Sequence, residues 1–293
     1  MQNKKETAKR LVIFLLLAFG LSWIPWIILN RTFGYDEWFS SGHMGHCYIL
    51  CLLGYYGPAL ANILTRVITK EGFHDMLLHL RLKGHVKQYL TAWLLPAVIG
   101  LCIAVLATCT YAGWDWDAIS AQYTAKQVIS TVLMVFATAP LAAFNTFGEE
   151  YGWRAYMNQK LEPLFGTLGT VLIGGILWGL WHAPLTVHGH NFGKDYPGFP
   201  YMGILLMCVM CTGFGAVLCW LTKTSGTVYP AAIMHACINN GGLTLGTVLL
   251  VTHDKELTIG QMALEMIPIA AFGVVFTVLL LCRSRKTNIG AAD

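Results

Sequence analysis

Apolar residues are concentrated in eight runs, separated by short stretches in which polar and charged residues collect. The runs cover roughly residues 11–30, 47–69, 89–111, 126–147, 168–187, 201–222, 228–250 and 260–282. A transmembrane helix needs about twenty predominantly apolar residues, and each run comes close to that length. The pattern predicts an all-α fold: a polytopic membrane helix bundle of about eight transmembrane helices, forming a single integral membrane domain over residues 1–293.

Composition supports a membrane protein and excludes a water-soluble one. The chain is 56% hydrophobic and 12% charged, whereas soluble domains carry about 25% charged residues. A surface in water cannot be made from so little charge, while a surface in lipid needs almost none. No stripe of Lys and Arg interleaved with aromatic residues is present, so nucleic acid is not an expected partner.

The distribution of Lys and Arg predicts the orientation. With the N-terminus inside, the cytoplasmic segments are 1–10, 66–88, 148–166, 223–227 and 283–293, and they hold fifteen of the nineteen basic residues. Cytoplasmic loops carry such an excess. We therefore expect both termini in the cytoplasm, with the plasma membrane as the location. Within the second of these segments, Phe73 to Gln88 mixes apolar and basic residues, which predicts an amphipathic segment on the membrane surface or a basic loop.

Two adjacent carboxylates follow directly after the fourth apolar run. Glu149 and Glu150 lie in a segment predicted to be helical from about 126 to 161, with a kink near Gly148 or Gly152. Charges in the hydrocarbon cost about 2.5–3.5 kcal/mol each, so they mark function. Glu150 and Arg154 are spaced to pair along one helix face, while Glu149 is rotated by about 100° and is left for proton transfer. The alternative is a solvated helix end.

Two further runs carry polar groups that could meet these carboxylates. His182 lies late in the fifth run, and His235 and Asn239 are spaced i,i+4 early in the seventh. Hydrogen bonds between helices would also explain them. Together with Glu149, they suffice for hydrolysis by a general base with an oxyanion stabiliser. Glu149, His182 and His235 could instead be zinc ligands, because this is a known ligand set.

Two other groups of residues received no catalytic role. Cys208 and Cys211 have half of a zinc-site spacing without a second pair, and packing explains them. His188, His190 and Asn191 follow Pro184 at the outer end of the fifth run, and we interpret them as an outer-surface turn.

The motifs, in this order, resemble those of the prenyl-CAAX endopeptidase and bacteriocin-processing (CPBP) family of intramembrane proteases. The family shows Glu-Glu-x-x-x-Arg, then Phe-x-x-x-His, then His-x-x-x-Asn or Asp. Glu149-Glu150 with Arg154 fits the first motif, and His235 with Asn239 fits the third. His182 fits the second, with Trp178 in place of the usual Phe. The resemblance is strong over residues 126–250, the core motif region, and elsewhere extends only to hydropathy.

The resemblance implies an intramembrane endopeptidase. Glu149 and His182 would activate a water, His235 and Asn239 would stabilise the oxyanion, and Glu150, Arg154 and Trp178 would support them. The implied partners are membrane lipid and a peptide or protein substrate, with a prenylated or membrane-bound substrate as an open alternative. Because no His-Glu-x-x-His motif is present, we expect no cofactor, with zinc as the alternative.

A second class of function fits the same residues. Buried ionisable groups also mark transport pathways, so a small transporter, or a non-enzymatic peptide-immunity or binding protein, is the alternative to the protease. An inverted repeat would favour a transporter, and the chain contains none that we can identify.

Overall fold

The fold is helical throughout the part of the chain that the structure describes. The structure is a computed structural model and describes residues 3–34, 44–110, 117, 120, 124–243 and 258–289. Its helices are α1 (Lys4–Phe33), α2 (Met44–Tyr55), α3 (Gly57–Ile68), α4 (Val86–Thr110), α5 (Ala125–Gly152), α6 (Asn158–Trp181), α7 (Ala183–Thr186), α8 (Tyr201–Ser225), α9 (Tyr229–Cys237) and α10 (Ile259–Ile289). Two π-helical turns, Trp153–Met157 and Ile238–Gly242, continue α5 and α9. The predicted all-α class is confirmed.

Long apolar helices of membrane-spanning length form the bundle. Five helical stretches within the described ranges are long and apolar enough to cross a membrane, and six are if α2 and α3, bent by 49° to each other, count as one span. The bend falls at Tyr56, where the new helix starts with a proline in its first turn. Proline suits that position because it lacks an N–H that would have no partner there anyway.

The longest apolar stretch, Ala137–Trp181, folds back on itself. Gly166 has φ 68° and ψ −179°, which breaks the helix inside α6. The indole of Trp178 donates a hydrogen bond to Glu149, 29 residues earlier. A continuous helix would separate these residues by about 43 Å. The chain therefore forms two arms that run antiparallel, and this places the fifth apolar run beside the carboxylates.

The predicted number of about eight spans is not settled by these helices. The seventh apolar run contains α9 and the second π-helical turn, and its remainder lies outside the described residues. The count of eight and the cytoplasmic position of both termini stay predictions.

At the place where a kink was predicted, the structure has a π-helical turn that starts directly after Gly152. The glycines themselves serve close packing: a Cβ on Gly152 would lie 2.3 Å from the Cβ of Pro58 in α3. One at Gly148 would lie 2.9 Å from the backbone of Tyr55 and Tyr56. The two glycines thus let α5 approach the bend between α2 and α3, which positions the carboxylates between them.

The connection between α3 and α4 is a docked loop, so of the two predictions for Phe73 to Gln88 the structure favours the loop over the amphipathic surface segment. Residues 69–85 are not helical. Leu77 accepts a backbone hydrogen bond from Val228 at 3.0 Å, and Leu78 accepts one from the Tyr229 hydroxyl at 3.1 Å. Their side chains pack against a small cluster that includes Tyr151 of α5 and Val228, the residue before α9, because burial there removes them from water.

Candidate active site

The four residues predicted to be catalytic line one cavity of about 220 Å³. Glu149 comes from α5, His182 from the junction of α6 and α7, His235 from α9 and Asn239 from the second π-helical turn. Trp178 lines the same cavity. Glu149 is only 3% exposed, and both histidines are similarly buried, whereas Asn239 is exposed.

Glu149 and His182 face each other across a short gap. His182 Nε2 lies 3.9 Å from Glu149 Oε2. The other ring nitrogen, Nδ1, lies 2.8 Å from the carbonyl oxygen of Trp178. Since a carbonyl can only accept, Nδ1 carries the proton, and Nε2 of the neutral ring is left as an acceptor toward Glu149.

The second carboxylate connects two of the three motifs. Glu150, with 0% exposure, lies 3.2 Å from Arg154 Nε, as the i,i+4 spacing predicted, and accepts from His235 Nδ1 at 2.8 Å. The contact with His235 was not foreseen. This bond links α5 to α9. It involves Nδ1 of His235, so Nε2 is the ring nitrogen that is not bound to Glu150.

Trp178 does more than fill the place of the family's phenylalanine. Its indole N–H donates to Glu149 Oε2 at 2.8 Å, a bond that a phenylalanine cannot make. The Arg154 guanidinium stacks on the same ring, 3.9 Å from its centroid, which is a cation–π contact. Trp178 therefore contacts Glu149 by a hydrogen bond and contacts Arg154, the partner of Glu150, by stacking.

The cavity also contains residues to which the sequence assigned no chemistry. His190 and Asn191 line it, so their interpretation as an outer-surface turn was incomplete. The remaining wall is formed by Tyr55, Met207, Met210, Cys211, Phe214 and Ile238. No sequence signal pointed to these six residues, because they come from three separate elements: α2, α8 and the second π-helical turn.

The described geometry shows no ligand set for the zinc alternative, which stays a prediction. Among residues 3–34, 44–110, 124–243 and 258–289, no three His, Cys, Asp or Glu side chains are placed to hold a metal ion. This includes the set Glu149, His182 and His235, and also Cys208 with Cys211. A zinc site needs ligand atoms at about 2.0–2.3 Å from one ion.

Two comparisons with known proteins agree on the class of protein. A family model described as Type II CAAX prenyl endopeptidase, Rce1-like, matches residues 127–241, which contain all three motifs. The chain is also 25% identical over 253 residues to CAAX prenyl protease 2 of Methanococcus maripaludis, covering 84% of this chain and 87% of that protein.

The fold and these matches define an integral membrane protease. Both comparisons support the resemblance seen in the motifs, to the CAAX endopeptidase family. Neither match bears on bacteriocin processing, which stays a prediction.

Proposed function

We propose that this protease hydrolyses a peptide bond with a water activated by Glu149 and His182, and that its substrate is a membrane-bound peptide or protein ending in a CAAX motif. The relative from Methanococcus maripaludis carries the name of a CAAX prenyl protease, which supports the substrate class. The observation that carries the mechanism is the facing pair of acceptors, Glu149 Oε2 and His182 Nε2, 3.9 Å apart.

A water fits between those two acceptors. Hydrogen bonds of about 2.6–3.2 Å to each are compatible with the observed gap. Both hydrogens of the water would then be held, and an oxygen lone pair would remain for attack on the scissile carbonyl carbon. Glu149 takes one proton as the new C–O bond forms. It returns that proton to the leaving nitrogen when the C–N bond breaks, so the products are a carboxylic acid and an amine.

The oxyanion formed by that attack needs hydrogen-bond donors. In the proposed mechanism His235 is protonated, so that both of its ring nitrogens donate. With Nδ1 bound to Glu150, His235 would donate from Nε2. Asn239 lines the same cavity and adds an amide N–H. Donors preorganised in a site without bulk water can stabilise a developing charge by several kcal/mol.

Replacing Asn239 tests the oxyanion assignment. We expect Asn239→Ala to lower kcat by about 10²-fold with KM nearly unchanged, because the lost bond would exist only in the transition state. Steady-state cleavage of a prenylated CAAX peptide by the purified protein measures both constants. Asn240→Ala is the matched control, since Asn240 caps the Ala236 carbonyl at 2.9 Å and does not line the cavity. A raised KM with an unchanged kcat would contradict the assignment.

Chelation tests the metal-free form of the mechanism. We expect full activity after exhaustive treatment of the purified protein with a chelator, because the proposed mechanism activates water with Glu149 and His182 alone. Cleavage is measured before and after treatment, with a parallel sample given one equivalent of zinc. Loss of activity that zinc restores would overturn the metal-free mechanism, although the choice of residues would stand.

A further inference from the structure

The turn after α7 brings His190 into the active-site cavity. The His190 ring stacks almost parallel to that of His182, with centroids 6.1 Å apart and planes 9° apart. His190 lines the cavity together with Glu149 and His235. None of the three family motifs includes this residue.

The backbone around His190 is shaped to hold the ring there. Gly189 has φ 101° and Asn191 has φ 69°, so left-handed conformations flank the histidine on both sides. Such a conformation is uncommon for a residue other than glycine, and it is often found at functional sites. The His190 N–H donates to the Leu185 carbonyl at 3.2 Å, and the Asn191 amide contacts Met207 Sδ at 3.4 Å. The turn is thus attached to both α7 and α8.

The walls of the cavity differ in character. Met207, Met210 and Phe214 of α8 form an apolar side, whereas His190 adds a polar group. Desolvation lowers the pKa of His190 to about 4, so the ring is neutral near pH 7. A neutral imidazole has one N–H donor and one nitrogen acceptor. A peptide bond offers the complementary acceptor and donor. The side chains of the apolar wall have no N–H or O–H group to donate to it.

We propose that His190 is a substrate-binding residue that hydrogen-bonds the backbone of the peptide held in the cavity. The proposal rests on the proposed function, because it assumes that the cavity receives a peptide. It assigns His190 a role in binding the substrate before cleavage, distinct from the roles of Glu149 and His182 in activating water.

Binding can be measured without cleavage in the Glu149→Gln background. The probe is a fluorescent farnesylated peptide ending in a CAAX motif, titrated with detergent-solubilised protein and followed by anisotropy. His190→Phe keeps a stacking ring and removes both nitrogens, while His190→Gln keeps a donor and an acceptor and removes the ring. We expect His190→Phe to weaken binding about five- to tenfold, the usual effect of one lost hydrogen bond. His190→Gln should stay within about twofold.

The opposite ranking would overturn the proposal. If His190→Phe binds like its parent and His190→Gln binds weakly, the ring serves only to stack on His182. His188→Phe is the matched control, because His188 lies on the same turn and does not line the cavity; it should bind like the parent. An equal loss in His188→Phe would attribute the effect to the turn in general and would also overturn the proposal. Unfolding temperatures of all variants show whether a loss reflects misfolding, and His190→Gln and His190→Phe provide independent readings.

Kinetics in the otherwise unaltered protein give a second reading. We expect His190→Phe to raise KM about as much as it weakens binding, with kcat little changed, which is the pattern of a lost ground-state contact. A fall in kcat alone would overturn the proposal.

Failure of the proposed mechanism would look different: the Glu149→Gln protein would still cleave, while binding would still depend on His190. If the Glu149→Gln protein does not bind the probe, both the substrate class and the role of His190 are wrong.

Discussion

Glu149→Gln is expected to lower cleavage of a prenylated CAAX peptide by about 10³-fold, while the protein still inserts and folds. General-base catalysis contributes about 10²–10⁴-fold, and Gln has nearly the same shape but cannot take a proton. The side chain can still accept the indole hydrogen bond of Trp178, which now lies at 2.8 Å. The measurement is kcat of the purified protein, with its elution profile and unfolding temperature recorded alongside.

Glu265→Gln is the matched control for that loss. Glu265 is partly buried in α10 and does not line the cavity, so the same chemical change there should leave kcat within about twofold. Turnover by Glu149→Gln within tenfold of the unaltered protein would rule out Glu149 as the base. It would leave the family assignment untouched, because that assignment rests on the comparisons.

Glu150→Gln is expected to destabilise the protein and to reduce cleavage as well. Glu150 pairs with Arg154 at 3.2 Å and with His235 at 2.8 Å, and it has 0% exposure. Breaking a buried pair by removing one partner costs about 3–5 kcal/mol, because the other charge stays buried. The i,i+4 pair with Arg154, taken alone, predicts mainly a stability effect. The contact with His235 adds an effect on activity, because the oxyanion donor loses the charged group that orients it.

The double variant Glu150→Gln with Arg154→Met separates the two effects. Removing both charges should restore much of the stability, since no unpaired guanidinium remains. Activity should stay low, because His235 still lacks its carboxylate. Unfolding in a denaturant series and kcat are measured on the same samples. Glu150→Gln with both normal stability and normal kcat would show that neither ion pair matters.

The contacts within one helix of this site could be predicted from the spacing of residues along the chain. The i,i+4 interval predicts the pair between Glu150 and Arg154, and the same geometry turns Glu149 to a different side of the helix. These contacts lie within one helix, so its period is enough to predict them. The convergence of Glu149, His182, His235 and Asn239 could be expected only because three motifs in order resemble a family.

Other contacts could not be predicted because they join distant elements. The bond from Trp178 to Glu149 spans 29 residues, and that from His235 to Glu150 spans 85. The first depends on the reversal at Gly166, and the second depends on the packing of α9 against α5. Gly148, Gly152 and Gly166 are visible in the sequence. The sequence does not predict which of them forms a kink, a close contact or a chain reversal, because glycine is compatible with all three.

By itself, the sequence determined that this is a membrane protein, which residues are candidates for its chemistry, and how those within one helix are spaced. These properties follow from hydropathy and helix period, which are local. Only the tertiary structure decided that Trp178 holds Glu149, that Glu150 orients His235, and that His190 enters the cavity. Such contacts depend on which helix faces meet, and that is set by packing between elements far apart in the chain.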